Sequence, residues 1–238
     1  MMKIALLGYG KMGKTIEEIA VEKGHHIVYK SSMELDVEIL KAADVAIDFS
    51  VPEAAFRNIK ACLENGIPVV SGTTGWLEKY EEAKSICEKK QGAFLYASNF
   101  SIGVNLFFEL NKKLAELTKT FPDYKPSIEE THHTAKLDAP SGTAISLAEQ
   151  IIEKTNKTNW KLQESAEPIG ESSIPITAFR VANVPGTHTI KYQSEIDDLE
   201  IKHTAHSRKG FAMGAVLAAE WLPGKSGCFG MKDVLGFG

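Results

Sequence analysis

Short apolar runs alternate with amphipathic stretches over the first hundred residues. Residues 3–7 (KIALL) read as a buried strand, and residues 11–23 follow with helical spacing, closed by Gly24. Apolar runs recur at residues 26–29, 45–49, 67–71 and 93–96. Between them, residues 52–64 read as a helix with Pro52 in its first turn and Gly66 just after it; residues 76–90 read as another. Strand and helix in this rhythm predict right-handed crossovers and a parallel sheet.

Beyond Asn99 the alternation stops. Ser101 is placed to cap a long helix over residues 102–118. Residues 127–131 predict a strand, and residues 143–154 a helix opening after Pro140-Ser141-Gly142. Residues 174–184, 188–193 and 199–204 read as antiparallel strands joined by turns such as Val184-Pro185-Gly186 and Asp197-Asp198. The polar region 154–163 reads as a surface loop, and residues 211–221 as a small-residue helix. The predicted fold is α/β: a parallel-sheet domain plus a second, mixed α+β domain. The first covers residues 1–101 and is completed by 209–238; the second covers 102–208.

Composition changes this picture little. The apolar share of 43% and charged share of 24% suit a globular core, and a net charge of −4 offers no footprint for nucleic acid or an anionic membrane. Cys62, Cys87 and Cys228 have neither disulfide-framework nor zinc-ribbon spacing. There is no signal-like amino terminus and no apolar run of membrane length. The expectation is a reduced, soluble, cytoplasmic protein without nucleic-acid or membrane partners.

The segment Gly8-Tyr9-Gly10-Lys11-Met12-Gly13 is a G-x-G-x-x-G turn that follows a buried strand and opens a helix. In that context Gly8 makes the tight turn, Gly10 lets the backbone approach a pyrophosphate, and Gly13 permits close helix–strand packing. The helix start offers free N–H groups to phosphate. The second strand lacks the terminal acid that holds an NAD ribose: it runs Val28-Tyr29-Lys30-Ser31-Ser32, with Glu34 rather late. Lys30 is either a cofactor ligand, meeting a 2′-phosphate, or a solvated strand end, so NADPH and NADH both stay open. Asp48-Phe49-Ser50, Ser71-Gly72-Thr73-Thr74-Gly75 and Ala97-Ser98-Asn99-Phe100-Ser101 fall at strand ends of the same sheet edge, where open α/β sheets bind ligands.

The most chemical stretch runs from Glu129 to Thr143, EETHHTAKLDAPSGT. A metal site there is disfavoured: adjacent histidines on a strand diverge, and no Cys or H-E-x-x-H helix accompanies them. The bland alternative is a surface loop with incidental histidines. Taken together, the residues suit a small dicarboxylate that receives a hydride and a proton. A histidine moves the proton, a lysine neutralises a carboxylate, and a Ser-Gly-Thr helix start clamps a second anion. A covalent lysine mechanism would need a depressed lysine pKa.

GYGKMG, IDFS, SGTTG, ASNFSIGVN, ETHHTAKLDAPSGTA and GAVLAAEWLPGKSGCFGMKDVL, in that order, resemble the dihydrodipicolinate (4-hydroxy-tetrahydrodipicolinate) reductases of the diaminopimelate and lysine pathway. The resemblance implies that His132 is the catalytic acid/base and Lys136 the second catalytic residue. It implies that His133, Ser141, Gly142 and Thr143 bind the substrate carboxylates. Gly8, Tyr9, Gly10, Lys11, Met12 and Gly13, with Gly72, Thr73, Thr74, Ala97, Ser98, Asn99 and Phe100, would line an NADPH or NADH site. It further implies a Rossmann-like dinucleotide-binding domain, a mixed α+β substrate and oligomerisation domain that builds a homotetramer, and hydride delivery to ring C4 before protonation of the adjacent carbon. The substrate domain is expected to close over the site, since hydride transfer benefits from excluding water.

This sequence departs from the family pattern in places. Its glycine turn is the shorter form, with Lys11 where Arg is usual, and Thr134-Ala135 replace an Arg-His often found there. Two other readings are a semialdehyde or amino-acid dehydrogenase, the former needing a cysteine nucleophile, and a non-catalytic dinucleotide sensor. A sensor has no use for His132, Lys136 and the Ser141 turn together.

Overall fold

A computed structural model of the protein describes residues 1–32, 35–165 and 169–237, so Glu34 lies outside the described residues. The elements run β1 (Lys3–Leu7), α1 (Lys11–Glu22), β2 (His26–Ser31), α2 (Val37–Leu40), β3 (Val45–Asp48), α3 (Pro52–Glu64), β4 (Val69–Ser71), a 3₁₀ turn (Leu77–Lys79), α4 (Tyr80–Lys89) and β5 (Ala93–Tyr96). They continue with α5 (Ile102–Thr118), β6 (Lys125–His132), α6 (Gly142–Lys154), β7 (Asn159–Leu162), β8 (Ser173–Arg180), β9 (Gly186–Gln193), β10 (Asp198–Ala205), α7 (Lys209–Trp221), β11 (Gly227–Phe229) and α8 (Met231–Leu235). The chain divides into two units, one of Met1–Asn105 with Arg208–Gly238, the other of Leu106–Ser207.

The first unit carries a parallel six-stranded sheet in the order β11-β5-β4-β3-β1-β2. Side chains alternate across a strand, so each strand feeds two cores. Ile4, Leu6, Val45, Ile47, Val70 and Leu95 pack under α1 and α7, while Ala5, Leu7, Ala46, Val69 and Phe94 pack under α3 and α4. Helices on both faces explain why these strands read as unbroken apolar runs rather than as alternating ones. The small residues of α7 have a packing reason: a Cβ at Gly214 would come within 1.7 Å of the Phe100 carbonyl oxygen. Ser101 does cap α5, its hydroxyl accepting from the Val104 N–H at 3.3 Å.

The second unit has a five-stranded sheet, β10-β9-β6-β8-β7. Its core gathers Phe107 and Ala115 of α5, Leu147, Ala148 and Ile151 of α6, and Ile128, Ile176, Ile190 and Tyr192 from the strands. Three expectations are corrected here. Residues 159–162 lie in strand β7 rather than in a loop, paired parallel to β8; as an edge strand with Trp160 packed inward, it tolerates the polar composition that suggested a loop. Nor does β8 pair with β9: β6 sits between them, parallel to β8 and antiparallel to β9. β8 also ends at Arg180, short of the expected 184, and Asn183 takes a left-handed φ of 62° in the turn that follows.

Candidate active site

In the first unit the ends of neighbouring strands are laced along one sheet edge. The Gly8 N–H donates to the Ser31 carbonyl at 2.8 Å, Phe49 to Leu7 at 2.8 Å, Gly72 to Asp48 at 2.9 Å and Ala97 to Ser71 at 3.2 Å. Beneath them, buried Asp48 accepts from Ser50 Oγ, Asn58 Nδ2, Ser71 Oγ and Thr73 Oγ1 at 2.7–3.0 Å. Burial pushes its carboxyl pKa up, against the pull of those four donors. Asp48 therefore ties the loops that end β3 and β4 to each other and to α3.

Over this edge lies a cavity of about 560 Å³ lined by Gly8, Tyr9 and Gly10, by Ser31 and Ser32, and by the start of α3 including Arg57. A smaller cavity of about 240 Å³ is lined by Met12, Gly72, Thr73 and Thr74 and shares Phe49 and Ser50 with the first. The residues fit a dinucleotide on several counts. α1 begins at Gly10 with no side-chain cap and no acid in its first turn, so its leading N–H groups are open to an anion. A Cβ at Gly10 would meet nothing within 4 Å, whereas one at Gly13 would lie 2.3 Å from the Gly8 oxygen. One glycine gives access and the other close packing.

The remaining candidates from this unit are placed differently. Lys30 Nζ pairs with Glu17 Oε1 at 2.5 Å and lies 4.8 Å over the Tyr9 ring, while Tyr9 donates to the same Glu17 carboxylate. Ser31 and Ser32 line the cavity; Lys30 does not. Lys11 is exposed, and Phe100 is buried against Phe49 with ring centroids 5.5 Å apart. Asn99 turns inward on its own loop, accepting from the Ser101 N–H at 2.9 Å; Ala97 is half-buried beside β5, and Ser98 is exposed. Arg57 was not anticipated, because nothing in the sequence marks which residues of the third helix face the turn.

The second unit brings His132, the loop carrying Lys136, and the start of α6 onto one side chain. β6 alternates, so Ile128, Glu130 and His132 all face inward. Glu130 is fully buried. Both of its oxygens accept from the Ser141 N–H at 3.1 Å, and Oε2 lies 3.4 Å from His132 Nδ1 and 3.6 Å from His188 Nε2. Arg180 of β8 reaches the other oxygen at 3.4 Å and also donates to the carbonyls of Lys136 at 3.3 Å and Asp138 at 2.5 Å. Ser141 caps α6 by accepting from the Ala144 N–H, and its hydroxyl meets His188 Nε2 at 3.1 Å. Gly142 is exposed and Thr143 and His133 are half-buried. Lys136 Nζ is chelated by both oxygens of exposed Asp138 at 2.8 Å, which holds the Asp138 carboxyl below its usual range.

Burial penalises the charged form of His132, and the nearby His188, Lys136 and Arg180 add to that; Glu130 only partly compensates, so its pKa is pushed down to about 4. Burial would raise Glu130, but His188, Ser141 and His132 outweigh it and hold the carboxyl down to about 2. Both shifts have the same consequence for stability. Between the ordinary histidine value of 6.5 and about 4, and between the ordinary glutamate value of 4.5 and about 2, the unfolded chain binds the proton and the folded chain does not. Stability is therefore expected to fall steadily as pH drops below about 6.5. Urea midpoints at pH 7, 5.5 and 4 check this; equal midpoints at the three would show that these pKa shifts are absent.

Glu130, His132 and His188 could together reach a metal ion, since their ligand atoms lie within 4.8 Å of one another. The Arg180 guanidinium already occupies that carboxylate, so a divalent cation would sit beside a fixed positive charge. The thiol chemistry of a semialdehyde dehydrogenase is also poorly served. Cys62 and Cys87 are fully buried, and burial pushes their thiols up and that of Cys228 up to about 12. Among the described residues no helix is long and apolar enough to cross a membrane.

The amino-terminal family model of dihydrodipicolinate reductase matches residues 2–100, and the carboxy-terminal model matches residues 103–235. The 4-hydroxy-tetrahydrodipicolinate reductase of Christiangramia forsetii is 58% identical over 98% of both chains. That of Methanoregula boonei is 31% identical, covering 99% of this chain and 98% of its own. Among solved structures, the dipicolinate-bound dihydrodipicolinate reductase of Paenisporosarcina sp. TG-14 has the same fold, with a TM-score of 0.80 at 24% identity over 98% of this chain and 99% of that one. On the match of both family models and of these relatives, the chain belongs to the dihydrodipicolinate reductase family.

Proposed function

We propose that this chain reduces 4-hydroxy-tetrahydrodipicolinate to tetrahydrodipicolinate with NADPH or NADH, in lysine and diaminopimelate biosynthesis. The first unit holds the nucleotide and the second the substrate, in a cytoplasmic homotetramer assembled through the second unit. The observation that carries the reading is the gathering of His132, the Lys136 loop and the Ser141 helix start around Glu130. Those are the parts a small dicarboxylate needs if it is to be held and protonated.

The bound nicotinamide supplies a hydride. Loss of the 4-hydroxyl as water leaves a conjugated imine; hydride addition at ring C4 makes an enamine, and a proton on the adjacent carbon completes the reduction. The open start of α6 at Gly142 and Thr143, together with His133, receives one substrate carboxylate through N–H and hydroxyl donors. Lys136 receives the other by exchanging Asp138 for it. His132 handles the proton. Alone it is neutral at pH 7, but two substrate carboxylates nearby favour its protonated form, so binding charges the acid that the reaction uses.

The test is oxidation of NADPH and of NADH with substrate generated in place by the preceding synthase. Turnover with at least one nucleotide is expected, and the ratio of the two rates reads the preference. No oxidation with either nucleotide sinks the assignment. Pyridine-2,6-dicarboxylate, a planar dicarboxylate that cannot be reduced at this site, is expected to compete with substrate; inhibition of any other pattern would mean that the clamp is misplaced.

A further inference from the structure

We propose that Glu130 is the positioning residue of this site, holding His132 with its proton on Nδ1 and tying that histidine to the substrate clamp and the Lys136 loop. The proposal rests on His132 being the proton-transfer group.

The geometry runs from one carboxylate to three elements. Oε2 faces His132 Nδ1 at 3.4 Å, both oxygens hold the Ser141 N–H at 3.1 Å, and Oε1 holds the guanidinium of Arg180. Arg180 in turn straps the Lys136 and Asp138 carbonyls. A fully buried glutamate at a strand position is expensive unless it is paired and hydrogen-bonded, and this one is. His132 Nδ1 is buried and has no hydrogen-bond partner, so the carboxylate 3.4 Å away is its polar neighbour. Hydrogen bonds between catalytic groups are often long in a free enzyme and shorten when substrate is bound. With the proton on Nδ1, the Nε2 lone pair is the atom left to exchange a proton with substrate. Position 186 agrees: a Cβ there would lie 3.1 Å from His132 Nε2, and glycine leaves that nitrogen uncovered.

The neighbours that face His132 come from every packed element. They are Glu130 on its own strand, Arg180 of β8, His188 of β9 with its ring centroid 5.0 Å away, and Lys136 of the loop; His203 of β10 lies behind His188 in register. Among these Glu130 alone is negative. Removing its charge is therefore expected to make His132 harder to protonate while leaving the shape of the pocket intact.

Two measurements test this. In the wild-type protein, ¹⁵N shifts of the His132 ring at pH 7 are expected to show the Nδ1–H tautomer; an Nε2–H tautomer would overturn the proposal. In Glu130→Gln, the His132 titration and the alkaline limb of the kcat–pH profile are expected to move to lower pH, with kcat at pH 7.5 falling at least tenfold and KM changing less. Glu130→Asp, which keeps the charge, is expected to restore the profile position. A Gln variant that folds, with unmoved titration and unmoved profile, overturns the proposal. If the Gln variant does not fold, the wild-type tautomer decides. His132→Gln separates the two levels: if it keeps wild-type kcat, the reading of His132 fails, whereas a crippled His132→Gln beside an unshifted Glu130→Gln fails the role of Glu130 alone.

Discussion

Replacing His132 by Gln is expected to lower kcat by about 10²–10⁴-fold, the usual scale of general acid–base catalysis, with KM changing only a few-fold. The split follows from where the side chain acts. Its Nε2 lies on the side of Gly186, and in the proposed reaction the α6 start and Lys136 take the carboxylates, so the imidazole would contribute to the proton step more than to ground-state binding. Gln keeps a polar group of similar reach and lacks a titratable nitrogen. The change should also be tolerated structurally. His132 makes one 3.4 Å contact to Glu130 and a T-shaped contact to His188, and Glu130 keeps its bonds to Ser141 and Arg180 without it. Steady-state kinetics at saturating nucleotide check the prediction. A variant that loses affinity but keeps kcat would place His132 among the substrate ligands and leave the proton to another group.

The His132 result would bear on how such a site can be read. His132, Lys136 and Ser141 were visible in the sequence because they sit within a few residues of one another and belong to chemically expressive types. Glu130 lies in the same segment, and its position two residues before His132 on a strand puts both on one face. A glutamate on the inward face of a strand is itself a signal, since glutamate is rarely fully buried without a partner. Arg180 and His188 were out of reach. They come from β8 and β9, and their meeting at Glu130 depends on β6 lying between those strands, an order that local periodicity does not encode. The first sheet was legible for the opposite reason. Its strands are buried on both faces and β1 to β5 are joined by helical crossovers, so hydrophobic runs, glycine stops and the turn at Gly8 all pointed to a parallel sheet, though not to its strand order or to β11. The misread strand β7 shows where that logic ends: an edge strand half open to water has the composition of a loop.

Gly8→Ala is expected to damage the nucleotide turn severely. Gly8 has φ of +94°, outside the range that side chains of L-residues adopt comfortably, and the left-handed region alone costs about 1–2 kcal/mol. A Cβ there would also lie 2.2 Å from the Phe49 carbonyl oxygen and 2.6 Å from Ser50 Cα. Those are backbone atoms of the neighbouring strand end and cannot rotate aside. Relief requires the turn to move away from the β3 end, and the turn is what aims the first N–H groups of α1 at a pyrophosphate. Gly8 N–H would then also lose its 2.8 Å bond to Ser31, whose loop lines the same cavity. A turn displaced in this way should weaken nucleotide binding by about 100-fold, about 2.8 kcal/mol, since each 1.4 kcal/mol is a factor of ten. Calorimetric titration with NADPH and NADH measures the loss, and a thermal melt of the same sample should show a lower Tm. Gly10→Ala is the control. Its Cβ meets nothing within 4 Å in the free protein, so the fold should stand while a methyl group intrudes where the phosphates approach. Normal nucleotide affinity in both variants would mean that the dinucleotide does not lie on this turn.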